Sequence, residues 1–252
     1  MSLINTKPSF SFRSILQITE YTDNISLRAD PVQPDVLDIF LKNSEQFEKI
    51  HCIIKQIQKQ KTAGIKTPAI FISIPDLNVS STTPLLDLVA QYQLNGIILR
   101  TFSSLKDLSQ LSIRLSVCET RHNLTEHSLQ IIACVSRTQP LMNLISDNAI
   151  VTKRLIALSW NPDQLSEETG YNFNSSPYTE PRKTAEGLFL LAAAALKVRA
   201  VSPPVVSSVS FSEFQSQCIE ERLTGYQAKY ATTSQQVPLI HDIFSQRRTR
   251  TL

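Results

Sequence analysis

A (β/α)8 barrel, forming a single α/β domain, is the fold class the sequence predicts, and three observations predict it. Short apolar segments rich in β-branched residues recur eight times along the chain. Most intervals between them carry apolar residues at helical spacing, and a length of 252 residues accommodates one such barrel. An open doubly wound sheet is the alternative for the same alternation.

The strands are expected at SILQI (14–18), VLDIFL (36–41), AIFISI (69–74), GIILR (96–100), LQIIACV (129–135), LIALSW (155–160), around AVSPPVV (200–206) and at KYATT (229–233). Between them, Phe47, Ile50, Ile54 and Ile57 mark one amphipathic helix. Leu85, Leu88 and Val89 mark a second, and Leu105, Leu108, Leu111 and Leu115 a third. Ser44, Thr83 and Ser103 or Ser104 are suitable helix caps, and Pro84 suits a first helical position. Three places fit the pattern poorly. The first crossover, TEYTDNISLRADPVQP, carries two prolines, and YNFNSSPYTEPRK (171–183) reads as a long polar loop before the helix TAEGLFLLAAAALKVRA. The seventh strand contains Pro203 and Pro204.

Composition narrows the function classes. With 42% hydrophobic residues, 19% charged residues and a net charge of +3, the chain is neither disordered nor a densely charged nucleic-acid binder. The C-terminal RRTRTL is short and has no interleaved aromatic residues, so it reads as a solvated tail. The longest apolar run, LFLLAAAAL, falls short of the roughly 18 residues a membrane span needs. The N-terminus has no long apolar segment behind a basic one, so a soluble cytoplasmic protein is expected. Cys52, Cys118, Cys134 and Cys218 are far apart and read as reduced core residues, without the spacing of a zinc site. Five glycines is far below the roughly 7% that is usual, and no glycine-rich nucleotide loop exists. His51, His122, His127 and His241 do not cluster in the sequence, so no nucleophile and base pair is proposed.

The order of segments resembles the citrate lyase β-subunit-like family, within the HpcH/HpaI-type aldolases and malyl-CoA or citramalyl-CoA lyases. The resemblance runs from Arg13 to about Ser245. RSIL is similar to the family's first strand, and GIILRTFSSLKDLSQL to its Gly-Ile-Val-Leu-Pro-Lys-Val-Glu-Ser strand and helix. IIACVSRTQPLMNL resembles Leu-Ile-Ala-Leu-Ile-Glu-Thr-Ala-Arg-Gly-Leu-Leu-Asn-Leu, and LIALSWNPDQLSEETG the Phe-Gly-Ala-Glu-Asp-Leu segment. GYQAKYATTSQQVPLIHDIFS resembles the closing Gly-Phe-Asp-Gly-Lys-x-Ala-Ile-His-Pro segment. The resemblance implies an N-terminal extension over 1–12, a barrel over 13–246 and a basic tail over 247–252.

Active members of that family cleave or form a carbon–carbon bond of an acyl-CoA thioester with a divalent ion held by two strand-end carboxylates. Mg2+ needs such anionic oxygens. The glutamate position falls at Ser136 and the aspartate position at Gln164, beside Asp163. The second-strand acidic motif keeps Asp38 but has Phe40 and Leu41 at its other two positions. Ile72 stands for the substrate-binding arginine, and Thr101 for the fourth-strand lysine. Thr232, Thr233 and Ser234 replace Ile-His-Pro, while Arg13 and Lys229 match family positions.

The resemblance therefore implies a catalytically impaired homologue that acts by binding or assembly. An active lyase with a site rebuilt from Arg13, Asp38, Ser136, Asp163 and Lys229 is the alternative. No cofactor is expected, and Mg2+ only under that alternative. Relatives commonly form homotrimers or join larger lyase complexes, so a homo-oligomer is implied, with a CoA thioester or a protein as further partner and neither nucleic acid nor membrane. For individual residues two roles stand side by side: Arg13 and Lys229 as anion contacts or structural ion pairs, Asp38 as a site acid or a hydrogen-bonded strand residue, Asp163 as a cation contact or a helix N-cap. Trp160 fills either the core or the volume of a substrate.

Overall fold

The computed structural model describes residues 11–18, 32–40, 47–78, 82–146, 152–171, 180–205 and 209–245. Eight parallel strands close into a barrel in sequence order. They are β1 (Ser14–Ile18), β2 (Val36–Phe40), β3 (Ala69–Ile74), β4 (Gly96–Leu99), β5 (Gln130–Val135), β6 (Leu155–Trp160), β7 (Arg199–Ser202) and β8 (Ala228–Ala231). β8 pairs with β1 through Ser14 opposite Lys229 and Ile15 opposite Tyr230, which completes the ring. Each strand lies within two residues of its expected start, because a strand buried on both faces shows as a continuous apolar run.

The helices are α1 (Phe47–Thr62), α2 (Thr82–Gln91), α3 (Leu105–Arg121), α4 (Thr138–Ser146), α5 (Pro162–Thr169), α6 (Glu180–Ala195), α7 (Phe211–Thr224) and α8 (Val237–Ser245). The α3 start is fixed by the Asp107 carboxylate, which accepts from the Ser103 and Ser104 amides at 2.7 and 3.1 Å. Helix α6 begins at Glu180, so Glu180–Lys183 are helical rather than the end of a polar loop. Pro181 suits a first helical turn, which lacks intrahelical N–H bonds in any case. The expected Ser44 cap, residues 19–31 of the first crossover and the 247–252 tail lie outside the described residues.

Alternation along the strands sorts side chains into two layers. Ile15, Val36, Phe71, Ile98, Ile132, Ala157, Val201 and Ala228, one from each strand, form an interior cluster, joined by Tyr230 and by Phe12. Phe12 is fully buried in that cluster, so packing of the barrel begins inside the expected 1–12 extension. The other parity, including Leu37, Ile72, Ile97, Ile131 and Leu158, packs outward against the helices. Gly96 is obligatory at the start of β4: its φ is +156°, and a Cβ there would collide with the Gln130 backbone of β5. Cys118, Cys134 and Cys218 are buried free thiols as expected, but Cys52 is exposed, because it sits on the outer face of α1.

Ion pairs tie the amino-terminal pole. Arg154 and Glu119, both buried, form a two-pronged pair at 2.6 Å on each side. Glu119 also accepts from the Leu129 amide at 2.8 Å. Such a pair offsets its desolvation only through additional hydrogen bonds of this kind. Burial pushes the Glu119 carboxyl up, but Arg154 and the Leu129 amide outweigh it and hold the acid below its ordinary value.

Candidate functional site at the carboxyl-terminal mouth

In barrels of this architecture chemistry sits at the carboxyl ends of the strands. The interior parity continues upward from the apolar layer, and places Asp38, Ser73, Arg100, Cys134, Ser136, Ser159 and Tyr230 on the lumen side of that end. Asp38 and Tyr230 are two residues beyond Val36 and Ala228. Arg100 is two beyond Ile98, and Cys134 and Ser136 are two and four beyond Ile132.

The centre of this cluster is a buried ion pair. The Arg100 Nη2 donates to Asp38 Oδ2, and Arg100 Nε donates to Ser73 Oγ at 2.9 Å. Ser73 Oγ in turn donates to Asp38 Oδ1 at 2.5 Å. Asp38 is fully buried, whereas 24% of the Arg100 side chain is exposed, so the arginine faces the solvent end. The guanidinium lies over the Phe40 ring at 5.3 Å and the Tyr230 ring at 5.8 Å, which fixes its plane. Burial is the largest influence on Asp38 and pushes its carboxyl above the ordinary value, against the pull of Arg100 and Ser73. For Arg100, burial works against the charge, but Asp38 offsets it and the pKa is raised. A guanidinium does not release its proton in a protein, so the two are an ion pair whenever Asp38 is ionised.

Around this pair lie buried hydroxyls. Ser136 Oγ, Ser159 Oγ and Tyr230 Oη are buried; Ser159 is within hydrogen-bonding reach of the Tyr230 phenol and the Cys134 thiol, whereas Ser136 Oγ meets no partner among the described residues. Ser159 pairs in register with Cys134 and influences both that thiol and the Tyr230 phenol, so the groups share one small space. Burial pushes both the Cys134 thiol and the Tyr230 phenol up, so both are protonated at neutral pH.

Several residues with a family match lie elsewhere. Arg13 precedes β1 at the opposite pole, where it donates to Asp35 at 2.7 to 3.0 Å and to Ser245 at 2.8 Å. It is a structural ion pair away from the mouth. Lys229 has the outward parity of β8: its Nζ donates to both Glu221 oxygens at 2.8 and 2.7 Å, to Ser202 and to the Pro203 carbonyl. The lysine therefore packs under α7, over the Phe214 ring, and not in the lumen. Asp163 is not the N-cap of α5. Asn161 is, and its side chain accepts from the Asp163 and Gln164 amides at 3.1 and 3.2 Å. Gln164 is exposed and accepts from the Asn161 amide at 3.2 Å. Ile72 faces the helices, so the lumen side of β3 offers Phe71 and Ser73 and the arginine position has no lumen counterpart at Ile72. Trp160 packs outward, stacked on Phe189 at 6.1 Å, which settles it as core.

Sequence reasoning missed two groupings. Arg100 went unremarked because the resemblance placed a lysine at Thr101. Strand parity from Ile98 is the signal that finds it. The second grouping joins Ser14, Asp35 and His241 at the amino pole, with Ser14 Oγ 2.8 Å and Asp35 Oδ2 3.4 Å from His241 Nε2. Both contacts fall on one ring nitrogen and Ser14 is fully buried, so this is not the relay of a nucleophile, a base and its orienter.

The Mg2+ that the family resemblance implies does not fit the donors present. Of the two positions that would supply carboxylates, Ser136 offers a hydroxyl and Gln164 an exposed amide. The lumen carboxylate of Asp38 already carries a guanidinium, which repels a cation. Among the described residues, no group of three or more His, Cys, Asp or Glu side chains could hold a metal ion together. No helix among them is long and apolar enough to cross a membrane.

No protein-family model matches the sequence, and no curated protein matches it significantly. Solved structures do match. RipC from Yersinia pestis aligns with 18% identity over 97% of this chain and 100% of its own, at a TM-score of 0.67. The citrate lyase beta subunit from M. tuberculosis, solved with oxaloacetate and magnesium, aligns with 12% identity over 94% and 98%, at 0.71. The malate synthase of Haloferax volcanii, solved with magnesium and glyoxylate, aligns with 14% identity over 96% and 78%, at 0.76. At such identities the likeness establishes a shared barrel architecture.

Proposed function

We propose that this chain is a non-catalytic barrel of the citrate lyase β-subunit type, which acts by binding or assembly rather than by carbon–carbon bond cleavage. The observation that carries the reading is the Asp38–Arg100 pair. The carboxylate at the mouth is neutralised from within the protein, and the two strand-end positions of the family's metal ligands hold Ser136 and Gln164. A lyase of this kind must polarise a carbonyl as charge develops on its oxygen, and the loss of such stabilisation lowers turnover by orders of magnitude. The overall likeness to acyl-CoA lyase structures supports the ancestry of the frame, while function depends on the site. Assembly with further copies of the chain is part of the same proposal, drawn from the sequence resemblance, and light scattering on a sizing column tests it.

The direct test is release of the CoA thiol from malyl-CoA or citramalyl-CoA in the presence of Mg2+. The proposal expects no release above the uncatalysed background. Release that depends on Mg2+ and disappears with a chelator would overturn it.

A further inference from the structure

We infer that the amino-terminal pole carries a binding site of its own, a cleft between the carboxyl-terminal ends of α1 and α2 that takes the carboxyl end of a peptide with a large aliphatic last residue. The cleft lies beneath the starts of β3 and β4, at the pole opposite the mouth. The inference therefore stands whether or not the mouth is catalytic.

The cleft has a volume of about 360 Å³, at the small end of the range for ligand pockets. Its floor is apolar: Ile57, Ile70 and Leu94 are 3%, 5% and 5% exposed, and Pro68 is also buried. Its walls are backbone that is already satisfied. After α1, the Ala63, Gly64 and Ile65 amides donate to the Lys59, Lys61 and Gln60 carbonyls at 3.1 Å each. After α2, the Gln93 and Leu94 amides donate to the Ala90 and Val89 carbonyls at 3.0 and 2.9 Å. Gln58 Nε2 bridges the two sides by donating to the Tyr92 carbonyl at 3.0 Å. What remains unused on the rim is side-chain polarity. Asn95 Oδ1 accepts from the Ile70 amide at 2.9 Å, but its Nδ2 makes no hydrogen bond with a described residue, and neither do the Gln91 and Gln93 carboxamides or the Lys61 ammonium.

The chemistry of the occupant follows from these groups. A carboxamide pairs a donor with an acceptor, the pattern of a peptide group, so Gln91, Gln93 and Asn95 suit a ligand made of amides. Lys61 is the one charged residue on the lining, which includes no carboxylate. An ammonium without a countercharge at the edge of an apolar floor suits a terminal carboxylate. Lys59 and Lys66, exposed on the same stretch of chain, add to the attraction of an anion. The floor favours an aliphatic side chain, whose burial there removes apolar surface from water. Lys61 also lies in the last turn of α1, where a cation favours the helix end. That contribution bears on stability, so affinity is the property that separates the two roles.

The test titrates N-acetyl-Ala-Ala-Leu, its carboxylate free, into the isotope-labelled full chain and follows the backbone amide resonances. The expected result is a saturable shift centred on the residues around the cleft, 57–70 and 91–95. The same peptide with a carboxamide end should bind about threefold to tenfold more weakly, the range between an exposed ion pair and a charged hydrogen bond. A peptide ending in glycine should bind about tenfold more weakly or worse, for want of the aliphatic side chain. Lys61→Gln should remove the advantage of the carboxylate peptide over the carboxamide peptide, which a purely structural role for Lys61 would not do. Lys153→Gln, at an exposed lysine before β6 on the same pole, should leave that advantage intact. No saturable shift, shifts centred outside the cleft, equal binding of the three peptides, or equal effects of the two lysine variants would each overturn the inference. These failures are distinct from that of the functional reading, which falls only on Mg2+-dependent thioester cleavage.

Discussion

Replacing Arg100 by methionine is the perturbation whose outcome follows most closely from the structure. Asp38 is fully buried, and its oxygens are engaged by Arg100 and Ser73. Methionine keeps much of the side-chain volume over Phe40 and Tyr230 but removes the countercharge. Breaking a buried pair from one side costs about 3–5 kcal/mol, because the remaining carboxylate must either stay charged without a partner or take up a proton. In a domain of this size about 3–5 kcal/mol lowers the thermal midpoint by on the order of 10 °C. Denaturant unfolding gives the free energy directly, provided the slope is unchanged. The double variant Asp38→Leu with Arg100→Met should recover most of the loss, since an apolar pair of similar size is often as stable as the ion pair. The deficit of the single variant should also shrink as the pH falls. Its buried Asp38 carboxyl has a folded pKa raised above the unfolded one, so its stabilising contribution is fully present below the unfolded value and lost as pH rises through the folded value. A single variant within about 1 kcal/mol of the parent, or a double variant no more stable than the single, would refute the claim that the mouth is organised by this pair.

Other expectations concern the frame. Gly96→Ala should destabilise strongly and impair soluble expression, read as a lower unfolding midpoint, because β4 must move away from the Gln130 backbone of β5. Arg154→Leu should cost about 3–5 kcal/mol in denaturant unfolding by stranding Glu119. Asp35 and Glu119 both have pKa values held below the ordinary carboxylate range. For Asp35, burial pushes upward but His241 and Arg13 outweigh it. Their stabilising contribution is therefore present above the unfolded value near pH 4 and lost as pH falls through the folded values. An acid titration of stability should show Asp35→Asn with a shallower loss than the parent.

The sequence made the frame legible and the mouth only partly so. Strands such as AIFISI and LIALSW are apolar on both parities, since one face meets the lumen layer and the other the helices, and a run of that kind is visible without any partner. Arg100 needed one further step, that Ile98 is a lumen residue and the chain returns to the lumen two positions later. A buried Asp38 of the same parity requires a cation, and the two requirements answer each other only once β2, β3 and β4 stand side by side. Lys229 and Arg13 stayed open between an anion contact and a structural ion pair for the complementary reason: a motif match fixes position along the chain, whereas parity and pole decide what the side chain touches. The Ser14–His241 contact joins residues 227 positions apart and leaves no local trace.

The most direct test of the central claim is binding of Mn2+, a paramagnetic stand-in for Mg2+, followed by water proton relaxation in the full chain. An account in which Arg100 occupies the cation's place predicts no site filled by Mn2+ and no enhancement that Mg2+ reverses. A saturable enhancement displaced by Mg2+ and lost in Asp38→Asn would contradict it, and would show that the mouth opens its ion pair to admit a metal.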